Sequence, residues 1–351
     1  MPRSRTACIL TRRTFLKSAS LAALAEPPRL LVLARSPTDR FEFSQPQMGV
    51  PFRIVLYAGD EADARRVAGL AFARLGELNS ILSDYDDHSE LSRLSRSSAT
   101  GAWVALSEDL WRVLARGQEL ARRSHGAFDM TVGPLVQLWR RARRQRQLPP
   151  PDRLAEARRL VGWRLIELDP PRHRARLTVA GMRLDLGGIA KGYAVQEALR
   201  LIQARGLARA LVSGGGDLAT GEPPPGRDGW RVELAPPDVP EAPPARFVRL
   251  RRRALATSGD AFQYVEIGGV RYSHIVDPRT GLGLTDRSLV TVIADDGMSA
   301  DALATAASVL GPTAGLRLLA AQPRVEGRVV WPTDHGMEIR ETGGLEKLFT
   351  P

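Results

Sequence analysis

The sequence predicts an α+β fold of mixed or antiparallel sheets with packed helices. Strand-like segments follow one another in meandering runs, whereas a doubly wound parallel sheet needs strands and helices in regular alternation. The glycine-rich segments never form the G-x-G-x-x-G fingerprint of a dinucleotide-binding crossover. Hydrophobic residues make up 43% and charged residues 25% of the 351, the balance of an ordinary globular chain. That length admits two domains or one large one. A single cysteine, Cys8, excludes a disulfide framework and thiolate metal clusters. The five histidines are scattered without any HExxH pair, and no apolar run reaches the ~20 residues of a membrane span.

Taken in order, residues 40–58 read as strands around Phe41-Glu42-Phe43 and Arg53 to Tyr57. Residues 60–82 read as a helix capped by Asp60, with Val67, Leu70, Leu75, Leu78 and Leu82 near helical spacing. Residues 83–98 read as a polar loop, and 107–124 as an amphipathic helix with Ser107 as its N-cap. The very basic stretch 140–151, ending in three prolines, reads as a surface connection. Alternation over 163–184 around Pro170-Pro171 suggests a hairpin. A helix over 188–205 and a buried strand over 208–212 come next, then a proline-rich surface excursion over 223–244. Strands are expected over 248–256, 264–267, 270–276 and 288–294, with a helix over 299–310. No repeat is visible.

The formal charge of +11 overstates the basicity of the body of the chain. Arg3, Arg5, Arg12, Arg13 and Lys17 fall within the acid-free residues 1–25, leaving +6 for the rest. The remaining excess is almost all arginine, since the chain has only three lysines, Lys17, Lys191 and Lys347. A GC-rich genome accounts for that bias, and no helix-turn-helix, RRM or zinc-finger pattern supports nucleic-acid binding. Arg12-Arg13-Thr14-Phe15-Leu16-Lys17, followed by a short small-residue apolar stretch, resembles a twin-arginine export signal; a disordered basic tail is the alternative. Ala23-Leu24-Ala25 is a candidate cleavage site and Val32-Leu33-Ala34 a second. Residues 1–34 are therefore expected to be signal and linker, sending the protein to the periplasm or extracytoplasmic face. No cysteine follows the apolar stretch, which excludes a lipoprotein anchor there.

Five short segments carry chemistry. In Asp185-Leu-Gly-Gly-Ile-Ala-Lys191-Gly192 an acid ends a strand, two glycines turn the chain and a helix begins. Its free N–H groups and positive dipole end suit a phosphate, though a plain glycine turn with an exposed lysine fits too. Ser213-Gly-Gly-Gly-Asp217 and Thr257-Ser258-Gly259-Asp260 each follow a strand and read as tight turns or as close backbone approaches to a ligand. Ser273-His274-Ile275-Val276-Asp277-Pro278-Arg279-Thr280-Gly281 fixes His274 before a rigid turn, where a lone histidine is either structural or functional. Asp301 and Thr305 share one helix face. Two hard oxygens one turn apart suit Mg²⁺, which takes few protein ligands; a helix acid with a buried threonine is the alternative.

The order and identity of these segments resemble the ApbE family, the Mg²⁺-dependent FAD:protein FMN transferases. The resemblance runs from about residue 40 to 335. It includes Met48-Gly49, Asp84-Tyr85 with Ser89 to Leu94, and Gly126-Ala127-Phe128-Asp129-Met130-Thr131-Val132. It implies a single ApbE-type (T-fold-like) domain over 40–345. It also implies a reaction: FAD is cleaved at its pyrophosphate, FMN moves to a threonine or serine hydroxyl of a target protein, and AMP leaves. Targets are typically membrane redox subunits with a Ser/Thr-Gly-Ala-Thr-like sequence.

By the same resemblance, Asp301, Thr305 and the Gly188 carbonyl hold Mg²⁺. His274 receives or orients the acceptor hydroxyl proton, for which an ordinary imidazole, titrating near ~6.5, is largely neutral at pH 7. Met48, Tyr85, Ala127, Phe128, Asp129, Asp185, Lys191 and Ile275 match FAD contacts, with Tyr85 and Phe128 offering ring faces and Asp129 or Asp185 taking hydrogen bonds from adenine or ribose. The chain departs from the family's habit at Val50, often threonine, and at Ser213, often asparagine. An FAD pyrophosphatase releasing FMN and AMP, and a non-catalytic flavin-binding protein, are the competing readings; intact Asp301, Thr305 and His274 weigh against the second.

Overall fold

Met48 and Gly49 both adopt positive φ, 49° and 77°, and so reverse the chain between its first two strands, β1 (Asp39–Gln47) and β2 (Val50–Ala58). The computed structural model describes residues 39–234, 246–259 and 263–350. The export-signal expectation, residues 235–245 of the proline-rich stretch and Asp260 lie outside them.

The helix α1 (Glu61–Leu82) begins as expected at Asp60, whose carboxylate accepts from the Asp63 N–H. The expected polar loop contains a helix, α2 (Glu90–Ser97), capped by Ser89. Its serine-rich sequence hides it, because only Leu91 and Leu94 mark the buried face. Ser95 is buried too, accepting from the Leu184 N–H. After the short β3 (Val104–Ala105) comes α3 (Glu108–Arg123), capped by Ser107.

The basic stretch expected as a surface connection is about half helical, with residues 146–150 forming the connection itself. Its first half lies in α4 (Gly133–Gln145), where Leu135, Trp139 and Ala142 at i, i+4 and i+7 bury one face while the arginines occupy the others. The prolines then start α5 (Pro151–Arg158) at its first position, where a missing N–H costs nothing. The hairpin around Pro170-Pro171 forms as β4 (Ile166–Asp169) and β5 (Arg174–Leu177).

The helix α6 (Ala190–Ala204) leads into the antiparallel pair β6 (Ala210–Gly214) and β7 (Asp217–Thr220). The expected surface excursion contains a real strand, β8 (Trp230–Leu234). The expected strand over 248–256 is two, β9 (Arg246–Leu250) and β10 (Ala254–Gly259), broken where Arg252 takes φ 50°. A hairpin of β11 (Tyr264–Ile267) and β12 (Val270–Ser273) stops three residues short of expectation. The chain closes with β13 (Leu289–Ala294), α7 (Gly297–Leu310), α8 (Pro312–Ala320), β14 (Glu326–Thr333), β15 (Gly336–Glu341) and β16 (Phe349–Thr350).

The main sheet has eight strands in the order β1-β2-β6-β7-β10-β13-β14-β15, every neighbouring pair antiparallel. Period-two alternation sorts its side chains to two faces. Ile54, Leu56, Ala254, Ala256, Val292 and Ala294 join the large core with the helices. Val55, Leu255 and Ile293 instead pack with the small sheet β16-β9-β8. The α+β class expected from the meandering strands is the observed one.

Candidate functional site

The site starts from a contact between two glycines. Where α6 meets α7, a Cβ on Gly192 would stand 2.6 Å from the carbonyl carbon of Gly297 and 2.8 Å from the Cβ of Asp301. Only hydrogens fit there, so the helices meet backbone to backbone. That approach brings the Asp301 carboxylate to the α6 N-terminus, where its Oδ2 accepts from the Gly192 N–H at 3.1 Å. One turn on, Thr305 lies against Gly188, whose added Cβ would stand 2.8 Å from the Thr305 Oγ1. Ser258, on β10, is 3.4 Å from that hydroxyl. Gly188, Asp301 and Thr305, distant in sequence, are thus brought together.

A second carboxylate faces this cluster. Asp217 opens β7 after the Gly215-Gly216 turn and is buried, with an Oδ2 that lacks a hydrogen-bond partner among the described residues. Lys191 Nζ lies 3.7 Å from that oxygen and donates to the Gly187 carbonyl at 2.9 Å. Burial pushes the Asp217 carboxyl well above the ordinary carboxylate range, and the charge of Asp301 adds to this. Burial raises Asp301 as well, against the pull of Lys191 and the Gly192 N–H. For Lys191, burial pulls the ammonium down, but Asp301, Asp217 and Asp185 outweigh it and hold it above its ordinary value. Two buried carboxylates with an unpartnered oxygen, together with a threonine hydroxyl, form a hard-oxygen environment that fits Mg²⁺, while the adjacent helix N-terminus suits the phosphate oxygens such an ion would accompany. Among the described residues no trio of His, Cys, Asp and Glu gathers, so an ion there would keep positions open for phosphate oxygens or water.

Asp185 sits on the far side of Gly187, which donates its N–H to Asp185 Oδ1 at 2.8 Å while giving its carbonyl to Lys191. Arg140 of α4 ties this acid to the next group. Its guanidinium bonds Asp84 at 2.6 Å and Asp185 at 3.2 Å, and lies 3.9 Å above the Tyr85 ring. Burial and the neighbouring Asp84 charge push the Asp185 carboxyl up to about 6, against the Gly187 N–H, Arg140 and Lys191. Tyr85 is 78% exposed, so its other face is open to a planar ligand.

His274 follows β12 directly. Its backbone N–H donates to the Gln263 carbonyl at 2.9 Å, and its Nδ1 lies 3.2 Å from the same oxygen. A carbonyl only accepts, so Nδ1 is the donor in this contact. The preceding residue is pinned by α4, since Trp139 Nε1 donates to the Ser273 carbonyl at 2.9 Å. Ser273 and Ile275, on either side of the histidine, line a small cavity with Gly259 and Ser308. The His274 segment therefore abuts the ends of the elements that carry Ser258 and Thr305.

Other expected contacts are placed differently. Met48 occupies the β1–β2 turn, packed against the core. Ala127 and Phe128 are buried, so the Phe128 ring face is not presented to a ligand. The Asp129 carboxylate is spent on the fold, accepting from the Thr131 N–H and hydroxyl at 2.8 and 2.6 Å and from the Trp163 N–H at 2.8 Å.

Comparison with known proteins identifies the family and the fold. The sequence profile of the ApbE family matches residues 48–329. The chain belongs to the ApbE family. It is 32% identical to an FAD:protein FMN transferase of Vibrio cholerae, over 91% of this chain and 95% of that one. The solved structure of a flavin transferase ApbE from Vibrio cholerae superposes with a TM-score of 0.81 at 28% identity, covering 89% of this chain and 100% of that one. The apo structure of the flavinyl transferase ApbE from Pseudomonas stutzeri gives 0.78 at 31% identity, covering 89% and 97%.

Two residues that the structure brings into this cluster were not singled out by sequence reasoning. Arg140 was hidden in a run of arginines, and only its spacing from Trp139 and Leu135 on a helix would have separated it from the exposed ones. Asp217 was visible only as the end of a glycine turn. Its signal was the strand–turn–strand geometry that drives a short acid inward.

Proposed function

We propose that this chain transfers FMN from FAD to a serine or threonine hydroxyl of an acceptor flavoprotein, with Mg²⁺ at the Gly188–Asp301–Thr305 cluster. The chain is an FAD:protein FMN transferase, as its relatives are named. The observation that carries the site reading is buried Asp301 and half-buried Thr305, held against Gly192 and Gly188 at the N-terminus of α6, with Lys191 beside two carboxylates.

In this reading the FAD pyrophosphate lies over the α6 N-terminus, where free N–H groups favour negative charge. The Gly188 backbone, Asp301 and Thr305 would hold the ion, which would supply Lewis-acid neutralisation of phosphate oxygens. Lys191 offers a further positive charge at the same place. Tyr85 stacks on a planar ring of FAD, and Asp185 takes a hydrogen bond from it. His274 Nε2 accepts the proton as the acceptor oxygen attacks the FMN phosphorus. The bond from that phosphorus to the bridging oxygen breaks, and AMP departs with the bridging oxygen. Tyr85 and Asp185 are joined through Arg140, and Asp185 and Lys191 through Gly187, so ring and phosphate contacts share one frame.

The acceptor is proposed to be a membrane redox subunit with a Ser/Thr-Gly-Ala-Thr-like sequence. The Arg12-Arg13 pair supports export by a twin-arginine route to meet it. The test is to incubate the protein with FAD, Mg²⁺ and an acceptor domain bearing that sequence and weigh the acceptor. A mass increase of one FMN, lost when the acceptor hydroxyl is replaced by alanine, is expected. An unchanged acceptor mass with FAD consumed contradicts the reading.

A further inference from the structure

We propose that the arginine-lined cleft beside Tyr85 receives an acidic segment of the acceptor polypeptide, flanking the residue that takes FMN. The proposal deepens the transfer reading and rests on it. The cleft, about 680 Å³, lies between α4 and β11 and is lined chiefly by Tyr85, Arg140, Arg143, Arg144, Arg146 and Tyr264.

Its charge is not spent within the fold. Arg140 is neutralised by Asp84 and Asp185. Arg143, Arg144 and Arg146 have no carboxylate within 4 Å among the described residues, and Glu266 is the one acid among the lining residues. Cations in the last turn of a helix do offset its dipole, but that effect fades beyond the turn and needs no cleft. Three guanidiniums around a concavity instead present planar forks that match carboxylates.

The position of the cleft selects the occupant. Tyr264 follows Gln263, whose carbonyl holds both the backbone and the ring of His274. Through the β11–β12 pairing, Tyr264 also stands opposite Ser273, the residue before His274. A polypeptide whose hydroxyl reaches His274 therefore passes along this hairpin. With an extended chain advancing ~3.3 Å per residue, neighbours a few positions away enter the cleft. An acidic peptide is favoured over an anionic membrane surface because the arginines line a concavity, which an extended chain can enter and a broad lipid surface cannot follow.

The test uses fluorescent peptides bearing the acceptor sequence with glutamate flanks or with glutamine flanks, bound to the full chain without FAD and read by anisotropy at low and high salt. The glutamate peptide is expected to bind the wild type about tenfold more tightly at low salt and to lose that advantage at high salt. In an Arg143→Glu/Arg144→Glu variant the preference should vanish, lysine-flanked peptide should bind better, and FAD affinity should stay within twofold. Equal binding of the two peptides to the wild type overturns the proposal. So does a loss of FAD affinity in the variant, which would give the cleft to FAD. So does charge-dependent binding of phosphatidylglycerol vesicles without any of peptide. Charge-dependent peptide binding without FMN transfer counts against the transfer reading; transfer with charge-blind binding counts against the cleft.

Discussion

Replacing Gly192 with alanine puts a methyl group where α6 and α7 touch. The new Cβ would stand 2.6 Å from the Gly297 carbonyl carbon and 2.8 Å from the Asp301 Cβ, both backbone-anchored atoms that no rotamer change can move. Ordinary contact needs about 3.5 Å or more, so the helices must part by roughly 1 Å. Overpacking of this kind costs about 1–3 kcal/mol. The same shift stretches the 3.1 Å bond from the Gly192 N–H to Asp301 out of range. Losing a bond to a charged group adds about 1.5–3 kcal/mol. Better helix propensity returns at most about 1 kcal/mol. The net expectation is a loss of about 1.5–5 kcal/mol, which for a domain of this size lowers the melting temperature by roughly 2–8 °C. Calorimetry reads the stability and titration calorimetry the Mg²⁺ affinity, which should weaken at least tenfold because Asp301 moves away from Gly188. An alanine variant that melts within a degree of the wild type and binds Mg²⁺ equally well would refute the glycine-contact account of how the site is assembled.

Four further outcomes are expected. Asp301→Ala should abolish Mg²⁺-dependent transfer while the protein still melts cooperatively; wild-type rates without added metal would rule out the assigned ion site. His274→Ala should slow transfer by about 10²–10⁴-fold with FAD affinity nearly unchanged, whereas a packing role predicts lower stability with normal specific activity, so melting, FAD binding and transfer are measured on one sample. Because Asp185 is raised to about 6 from 3.8, its ionisation weakens the fold as pH rises from about 4 through 6. Asp185→Asn should therefore stabilise the ligand-free protein at pH 7.5, by at most about 3 kcal/mol, with the gain fading below pH 5 in denaturant titrations. Replacing Arg12 and Arg13 with lysine should retain the protein in the cytoplasm, which fractionation reads directly.

Much of the fold was legible where local chemistry and tertiary structure agree. Asp60 and Ser107 announce their helices because a short polar side chain before an apolar period has one good use. The helix over Glu90–Ser97 was not legible, since its buried serines are paid for by distant partners such as the Leu184 N–H. The Gly133–Gln145 helix was obscured by charge, its apolar stripe being three residues wide among arginines. In the site, Asp301 with Thr305 could be read from helical spacing, whereas Gly188 was implied only by the family resemblance. Asp217 and Arg140 could not, because their roles depend on which strands and helices meet. Phe128 and Asp129 show the opposite limit. Their residue types suit a flavin, but burial and three hydrogen bonds commit them to the fold.

The partition of FAD between two products tests the central claim most directly. With excess acceptor domain, Mg²⁺ and FAD in ¹⁸O-labelled water, the account predicts one AMP released for each FMN attached to the acceptor, no free FMN, and no ¹⁸O in the acceptor's phosphoester. Free FMN carrying ¹⁸O, formed at the same rate with and without acceptor, would contradict it and make the chain a pyrophosphatase.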